Sequence, residues 1–433
     1  MRYNRIDQKL FITNREKLVK QLSDNSIAIV NSNDEMPRNG DQYHPYRQQS
    51  DLFYLTGIDQ EKTVLVLCPQ HIDPKYREVL FILKADATLE IWHGHKLTQE
   101  EAKNISGVRN VRWLDEMEAI LREMMLQFDK VFINQNEYLK FFPEVESRDT
   151  RFLQSLKQQH PLHKYQRLAP LLKKLRLNKE PEEFQLLKTA CKITDNAFRK
   201  VLSVTKAGMK EYEVEAELTY EFIRQGAAGH AYAPIVATGA NACALHYIAN
   251  DATLQDGDLL LMDFGAEYAN YAADCSRTFP VNGKFSERQR ALYEATLRVF
   301  YFARDLMLPG TTITEIHSKV CRKWEEEHIR LGLYSKEDLE KQEAQNPLYF
   351  KYYMHGTSHF IGLDVHDVGD KQTVLEPGMV LSCEPGIYIA EEGIGIRIEN
   401  DILITEGKPV NLMADIPIEP EDIEAIMSTA KQT

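Results

Sequence analysis

The sequence predicts a mixed α/β (α+β) chain in which a smaller N-terminal α/β domain precedes a larger domain that carries the chemistry. Three observations predict it. The length, 433 residues, exceeds what one hydrophobic core usually organises. The first third alternates short apolar strands with helical stretches. A basic stretch then runs into Pro181 and two glutamates, which places a boundary between about residues 165 and 180 and divides the chain into residues 1–170 and 171–433.

In the first domain, SIAIVNSN from Ser26, TVLVLCP from Thr63, EVLFILK from Glu78, LEIWHGH from Leu89 and DKVFINQ from Asp129 are read as strands, being short apolar runs bounded by polar punctuation. WLDEMEAILREMMLQF from Trp113 spaces its apolar residues by three and four, as an amphipathic helix requires. After the boundary, Pro181 with Glu182 and Glu183 marks a helix start. Strands rich in Val, Ile and Leu follow, then a helical block from Ser286 to about Gly332, a polar insertion from Tyr334, and strands again. No short repeat of solenoid type is visible.

Composition excludes several functional classes. A formal net charge of -13 repels a phosphate backbone, and without a compensating basic cluster nucleic acid is not an expected partner. Part of that acidic excess is of the kind bound cations neutralise. The first twenty residues mix charge with apolar positions and hold no signal-peptide core, and no run approaches the roughly 20 apolar residues that span a bilayer. The six cysteines stand far apart, as reduced thiols in a cytosol do. A cytoplasmic protein with no membrane partner is expected.

Four segments concentrate carboxylates and histidines. In DLLLMDFGAEYANYAADCSRTF, Asp263 ends an apolar run and Asp274 follows beyond a Gly/Asn-containing turn, so the segment reads as a hairpin that brings two acids together. They would repel each other, raising one pKa, unless a cation sat between them; a lone Asp there would more often be a turn residue. YYMHGTSHFIGLDVHDVG carries His355, His359 and His366; one histidine alone is commonly structural, but three so close point to metal or proton chemistry. Glu384 ends the strand VLSC before Pro385 and Gly386, where burying an ionised carboxylate without a partner is costly. In GIGIRIENDILIT, Arg397 and Glu399 share one face of an alternating strand, and a simple ion pair between them is the plain reading. Together an Asp, Asp, His, Glu, Glu set supplies four carboxylates and one imidazole. That hard, oxygen-rich set suits manganese better than structural zinc, and bridging carboxylates imply two ions.

These segments resemble the signatures of the pita-bread metallopeptidases, and within them the aminopeptidase P (Xaa-Pro aminopeptidase) branch, in the order that family carries them. The resemblance implies that the C-terminal domain has the pita-bread fold and that the enzyme removes an N-terminal residue preceding proline. It further implies that Asp263 chelates one of two divalent metal ions, that Asp274 and Glu399 bridge both, and that His359 and Glu384 complete the second. Glu384 would also shuttle a proton from the activated water to the leaving nitrogen. By the same resemblance His246, in ALHYIAN, lies near the scissile amide, His366 stabilises the tetrahedral intermediate, and His355 and Arg397 line the proline side. YRQQSDLFYLTGI from Tyr46 is similar to the aminopeptidase P N-terminal signature, although its aromatics would serve equally as core. EIWHGHKL resembles a segment whose tryptophan, here Trp92, reaches a neighbouring subunit's cleft, which implies a homodimer or homotetramer.

The rival reading is a prolidase, with the same ligands and chemistry restricted to Xaa-Pro dipeptides. An inactive peptide-binding module with this fold, or a metal-free amidinohydrolase, would lack ligands that this chain keeps.

Overall fold

In the computed structural model, which describes residues 2–84, 86–142, 144–343 and 345–430, the chain forms two compact units. One is Asn4–Arg176; the other is Leu177–Thr433, to which Arg2 and Tyr3 also belong.

The first unit is built on a six-stranded sheet ordered Asn110–Trp113, Glu78–Ile82, Val64–Leu67, Ser26–Asn31, Lys130–Ile133 and Lys164–Arg167. Ser26–Asn31 runs antiparallel to Val64–Leu67 and parallel to Lys130–Ile133. Both Ser26–Asn31 and Val64–Leu67 are buried along their whole length, which is why they read as unbroken apolar runs. The helix Met117–Met125 lays Ile120, Leu121, Met124 and Met125 into the core with Val66, Val79 and Phe81.

One expected strand is not there. The segment from Leu89 lies in a helix, Ala87–His93, with Ile91 and Trp92 80% and 78% exposed. A residue beyond its end, Gly94 adopts φ +73° and donates to the Glu90 carbonyl at 3.0 Å, a left-handed helix stop open to glycine at no steric cost. With Ile91 and Trp92 facing solvent, apolar composition there does not mark a buried strand.

The second unit runs through the same order twice, two helices and then antiparallel sheet. Helices Pro181–Val204 and Glu211–Arg224 precede a sheet of Ile235–Thr238, Leu259–Phe264 and Cys275–Pro280. Helices Glu287–Asp305 and Ile313–Arg330 precede a sheet of Val380–Cys383, Asn400–Leu403 and Val410–Asn411, with the hairpin Gly386–Ile389/Ile394–Arg397 inserted. Pro181 starts its helix as expected, with the Glu180 N–H held by the Glu183 carboxylate at 2.8 Å. The single helical block read from Ser286 is interrupted after Asp305, where Pro309 and Gly310 (φ +87°) break it.

Two features set up the site. The strand pair Leu259–Phe264/Cys275–Pro280 places Asp263 opposite Ser276. Beyond it the chain continues as a second, narrower hairpin, Ala266–Tyr268/Tyr271–Ala272, closed by Ala269 and Asn270 at φ +51° and +66°. The join is Gly265, where an added Cβ would lie 1.8 Å from the Ala273 carbonyl oxygen. Similarly, the alternating segment from Gly393 is not one strand: Ile394–Arg397 pairs with Gly386–Ile389, whereas Asn400–Leu403 pairs with Val380–Cys383. Glu399 stands at that break.

Candidate metal centre

Ligand atoms of Asp274, His359 and Glu399 lie within 4.8 Å of one another. His359 Nε2 is 3.3 Å from Asp274 Oδ2 and 3.6 Å from Glu384 Oε1. Asp263 joins the group through Tyr232, whose hydroxyl oxygen is 2.6 Å from both Asp263 Oδ1 and Asp274 Oδ1. All five residues expected to be ligands therefore converge.

Each is fixed by the fold beneath it. Asp274 has its backbone N–H held by buried Asp401 at 3.2 Å. The Glu399 N–H donates to the Ser276 carbonyl at 3.1 Å while its carboxylate accepts from Ser276 Oγ at 2.7 Å. Ser382 ties two candidate ligands together, accepting from the His359 N–H at 3.0 Å and donating to Glu384 at 3.3 Å. The Glu384 N–H is anchored on the Thr357 carbonyl at 3.0 Å.

Arg397 does not form the plain ion pair that its spacing from Glu399 allowed. Its partner is Asp263 at 2.7 Å and not Glu399, because the chain breaks strand geometry between residues 397 and 399. Its other nitrogens donate to Ser276 Oγ and to the Tyr388 hydroxyl, both at 2.8 Å. Tyr388 in turn is 2.9 Å from His355 Nε2, and His355 Nδ1 is 2.8 Å from the Gly356 carbonyl. The network assigns the tautomer: Nδ1 carries the proton and Nε2 accepts from Tyr388. Burial, with Arg397 nearby, drops the His355 pKa to about 3, so this imidazole is neutral.

The electrostatics describe a crowded acidic site. Burial raises Asp263, although Arg397 opposes the shift. Burial pushes Glu384 up to about 7 against the pull of His359, and burial with Asp274 drives Glu399 well above its ordinary range. Burial would lower His359, but the Asp274 hydrogen bond and the Glu384 charge outweigh it and hold it at about 9. The single Tyr232 proton cannot serve two carboxylates at once. A divalent cation is the partner that such a donor set fits: four carboxylates and one imidazole with a shortage of positive charge between them.

The other expected residues are placed as follows. The His366 ring is edge-on to His359 with centroids 4.3 Å apart. His246 is exposed, following the short 3₁₀ turn Gly239–Cys243, and bears on the charge of His355. Trp92 belongs to the first unit, 78% exposed. Sequence reasoning missed Tyr232 and Tyr388. Neither had a local signal: Tyr388 lies on a strand that starts only at Gly386, after Glu384, and nothing local to AYAP singles out Tyr232.

The model of "Metallopeptidase family M24" matches residues 185–406, and that of "Aminopeptidase P, N-terminal domain" matches residues 11–132. The chain is 39% identical to the Xaa-Pro aminopeptidase of Escherichia coli K12 over 99% of each chain. It is 31% identical to human Xaa-Pro aminopeptidase 3, covering 95% of this chain and 82% of that one. Among solved structures, Pseudomonas aeruginosa aminopeptidase PepP superposes with a TM-score of 0.90 at 36% identity, covering 99% of this chain and 100% of that one. A zinc-substituted E. coli aminopeptidase P in complex with product gives 0.88 at 37% identity, covering 99% of both. The two-domain fold class expected from the sequence is the one these structures share.

Proposed function

The chain belongs to metallopeptidase family M24 and is a metallo-aminopeptidase, and we propose that it removes the N-terminal residue from peptides whose second residue is proline. The gathering of Asp274, His359 and Glu399 within 4.8 Å carries the reading. On it, Asp263, Asp274, His359, Glu384 and Glu399 hold two divalent ions, Mn2+ by the hardness of the donor set. When bound, the ions supply Lewis-acid activation of a water and offset developing negative charge.

The remaining work falls to side chains of the protein. Glu384, 3.6 Å from His359 Nε2, accepts a proton at its carboxylate and delivers it to the departing proline nitrogen. His366 donates toward the oxygen that becomes negative as the amide carbon turns tetrahedral. His246 orients the scissile amide from its exposed segment. His355, neutral and held by Tyr388, and Arg397, tied to Asp263 and Tyr388, form the wall on the proline side. Residues 1–170 are assigned to an aminopeptidase P-type N-terminal domain and 171–433 to the catalytic domain. The enzyme is placed in the cytoplasm as a homodimer or homotetramer in which Trp92 borders a neighbouring cleft. Among the described residues no helix is long and apolar enough to cross a membrane.

The test uses protein stripped with a chelator and reloaded with Mn2+, given Ala-Pro-Ala, Ala-Pro and Ala-Ala-Ala. The expected result is cleavage of Ala-Pro-Ala at least as fast as Ala-Pro, with Ala-Ala-Ala resistant. Hydrolysis of the dipeptide alone would establish a prolidase, and equal rates on Ala-Ala-Ala would remove the proline specificity.

A further inference from the structure

His246 sits in an exposed stretch between the strands Ile235–Thr238 and Leu259–Phe264, a poor place from which to orient a substrate unless something holds the stretch still. One buried carboxylate closes it. Glu211 is the first residue of the helix Glu211–Arg224 and is fully buried. Its Oε1 accepts from the Thr238 N–H at 2.7 Å and from Asn241 Nδ2 at 3.3 Å. Its Oε2 accepts from the Tyr247 hydroxyl at 2.7 Å and from the Ala252 N–H at 2.9 Å. The Glu211 N–H returns a bond to the Ala252 carbonyl at 3.0 Å.

The two backbone donors lie at opposite ends of the stretch, and Tyr247 adjoins His246. All four sites of the carboxylate are filled, and charge-assisted bonds of this kind are about twice as strong as neutral ones. One helical turn later Glu215 repeats the device, accepting from Asn250 Nδ2 at 2.8 Å while Asn250 Oδ1 accepts from the Val236 N–H at 3.0 Å. One helix face thus grips the stretch on both sides of His246, which is itself exposed.

We propose that Glu211 is a positioning residue for the peptidase reaction, holding residues 238–252 so that His246 meets the scissile amide. The proposal rests on the reading of His246 given above. Glu211→Gln keeps the shape but turns an NH2 group toward Tyr247 and Ala252, setting donor against donor. A double-mutant cycle separates positioning from general stability: kcat and KM on Ala-Pro-Ala, normalised to metal-loaded sites, are measured for Glu211→Gln, His246→Ala and the double variant.

The expected result is a loss of about 10-fold or more in kcat/KM for each single change, mostly in kcat, and a double variant within about 2-fold of His246→Ala alone. Losses that multiply would overturn the proposal, because Glu211 would then be acting elsewhere. Wild-type kinetics in His246→Ala would sink the assigned role of His246 and this inference with it, leaving the cleavage specificity untouched. Should Glu211→Gln fail to fold, Tyr247→Phe removes one hydroxyl of the clasp, and the same cycle is read with it.

Discussion

Replacing Gly265 by alanine tests whether the bend in the hairpin sets the distance between the two aspartates. The added Cβ would lie 1.8 Å from the Ala273 carbonyl oxygen and 2.6 Å from its carbon, where 3.0 Å is the closest a Cβ tolerates. The obstruction is backbone, so relief requires the two strands to part by more than 1 Å at the residue before Asp274. Overpacking of this kind costs about 1–3 kcal/mol, or a fall of roughly 2–12 °C in melting midpoint for a domain of this size. The effect on the site is larger than the effect on the fold, because metal–ligand distances tolerate only about 0.2 Å. Gly265→Ala is therefore expected to stay folded at 25 °C while binding Mn2+ far more weakly and losing about 100-fold or more in kcat/KM. Metal stoichiometry by mass spectrometry, circular dichroism and Ala-Pro-Ala kinetics on the same preparation separate the outcomes. A variant with wild-type metal affinity and more than a tenth of wild-type activity would refute the idea that this close approach positions Asp274.

Three other outcomes are expected. His366→Ala should lower kcat by about 100- to 1,000-fold while metal content by mass spectrometry stays at the wild-type level; parallel loss of metal would make it a ligand. His328 is fully buried against Trp324 and burial lowers its pKa to about 3. The unfolded chain binds that proton first, so stability present above about pH 6.5 is lost as pH falls toward 3, by at most about 1.4 kcal/mol per pH unit; in urea titrations from pH 7 to 4.5, His328→Phe should lose this slope, and an unchanged slope would refute the assignment. Trp92→Ala should impair Ala-Pro-Ala cleavage about 2- to 10-fold with metal content unaltered, and light scattering should find an oligomer; an active monomer would leave Trp92 as ordinary surface.

The legible parts of the sequence were those where one local rule decided the outcome. Val64–Leu67 and Ser26–Asn31 are buried on both faces, so composition alone marks them as strands. The ligand candidates were legible as a set and not singly: one Asp at a strand end is commonly a turn residue, whereas several acids and histidines gathered in four segments call for chemistry. The segment around Trp92 misled because apolar residues announce burial, and Ile91 and Trp92 are exposed on a helix. The Arg397–Asp263 pair was illegible for another reason: period-two alternation predicts which residues share a face, but it cannot detect that a strand changes partners at Glu399. Tyr232 reaches Asp263 and Asp274 only through tertiary structure, and Glu211 drew no notice because a glutamate opening a helix is ordinary.

The doubled order of helices and sheet in the second unit divides the candidate metal ligands between its two halves. Asp263 and Asp274 come from the first half, and His359, Glu384 and Glu399 from the second. The first half by itself holds two adjacent acids that oppose each other's approach. The two halves meet where the Glu399 carboxylate accepts from Ser276 Oγ. Either half alone would lack part of the proposed ligand set, so two divalent ions could be held only once the two sheets have packed together.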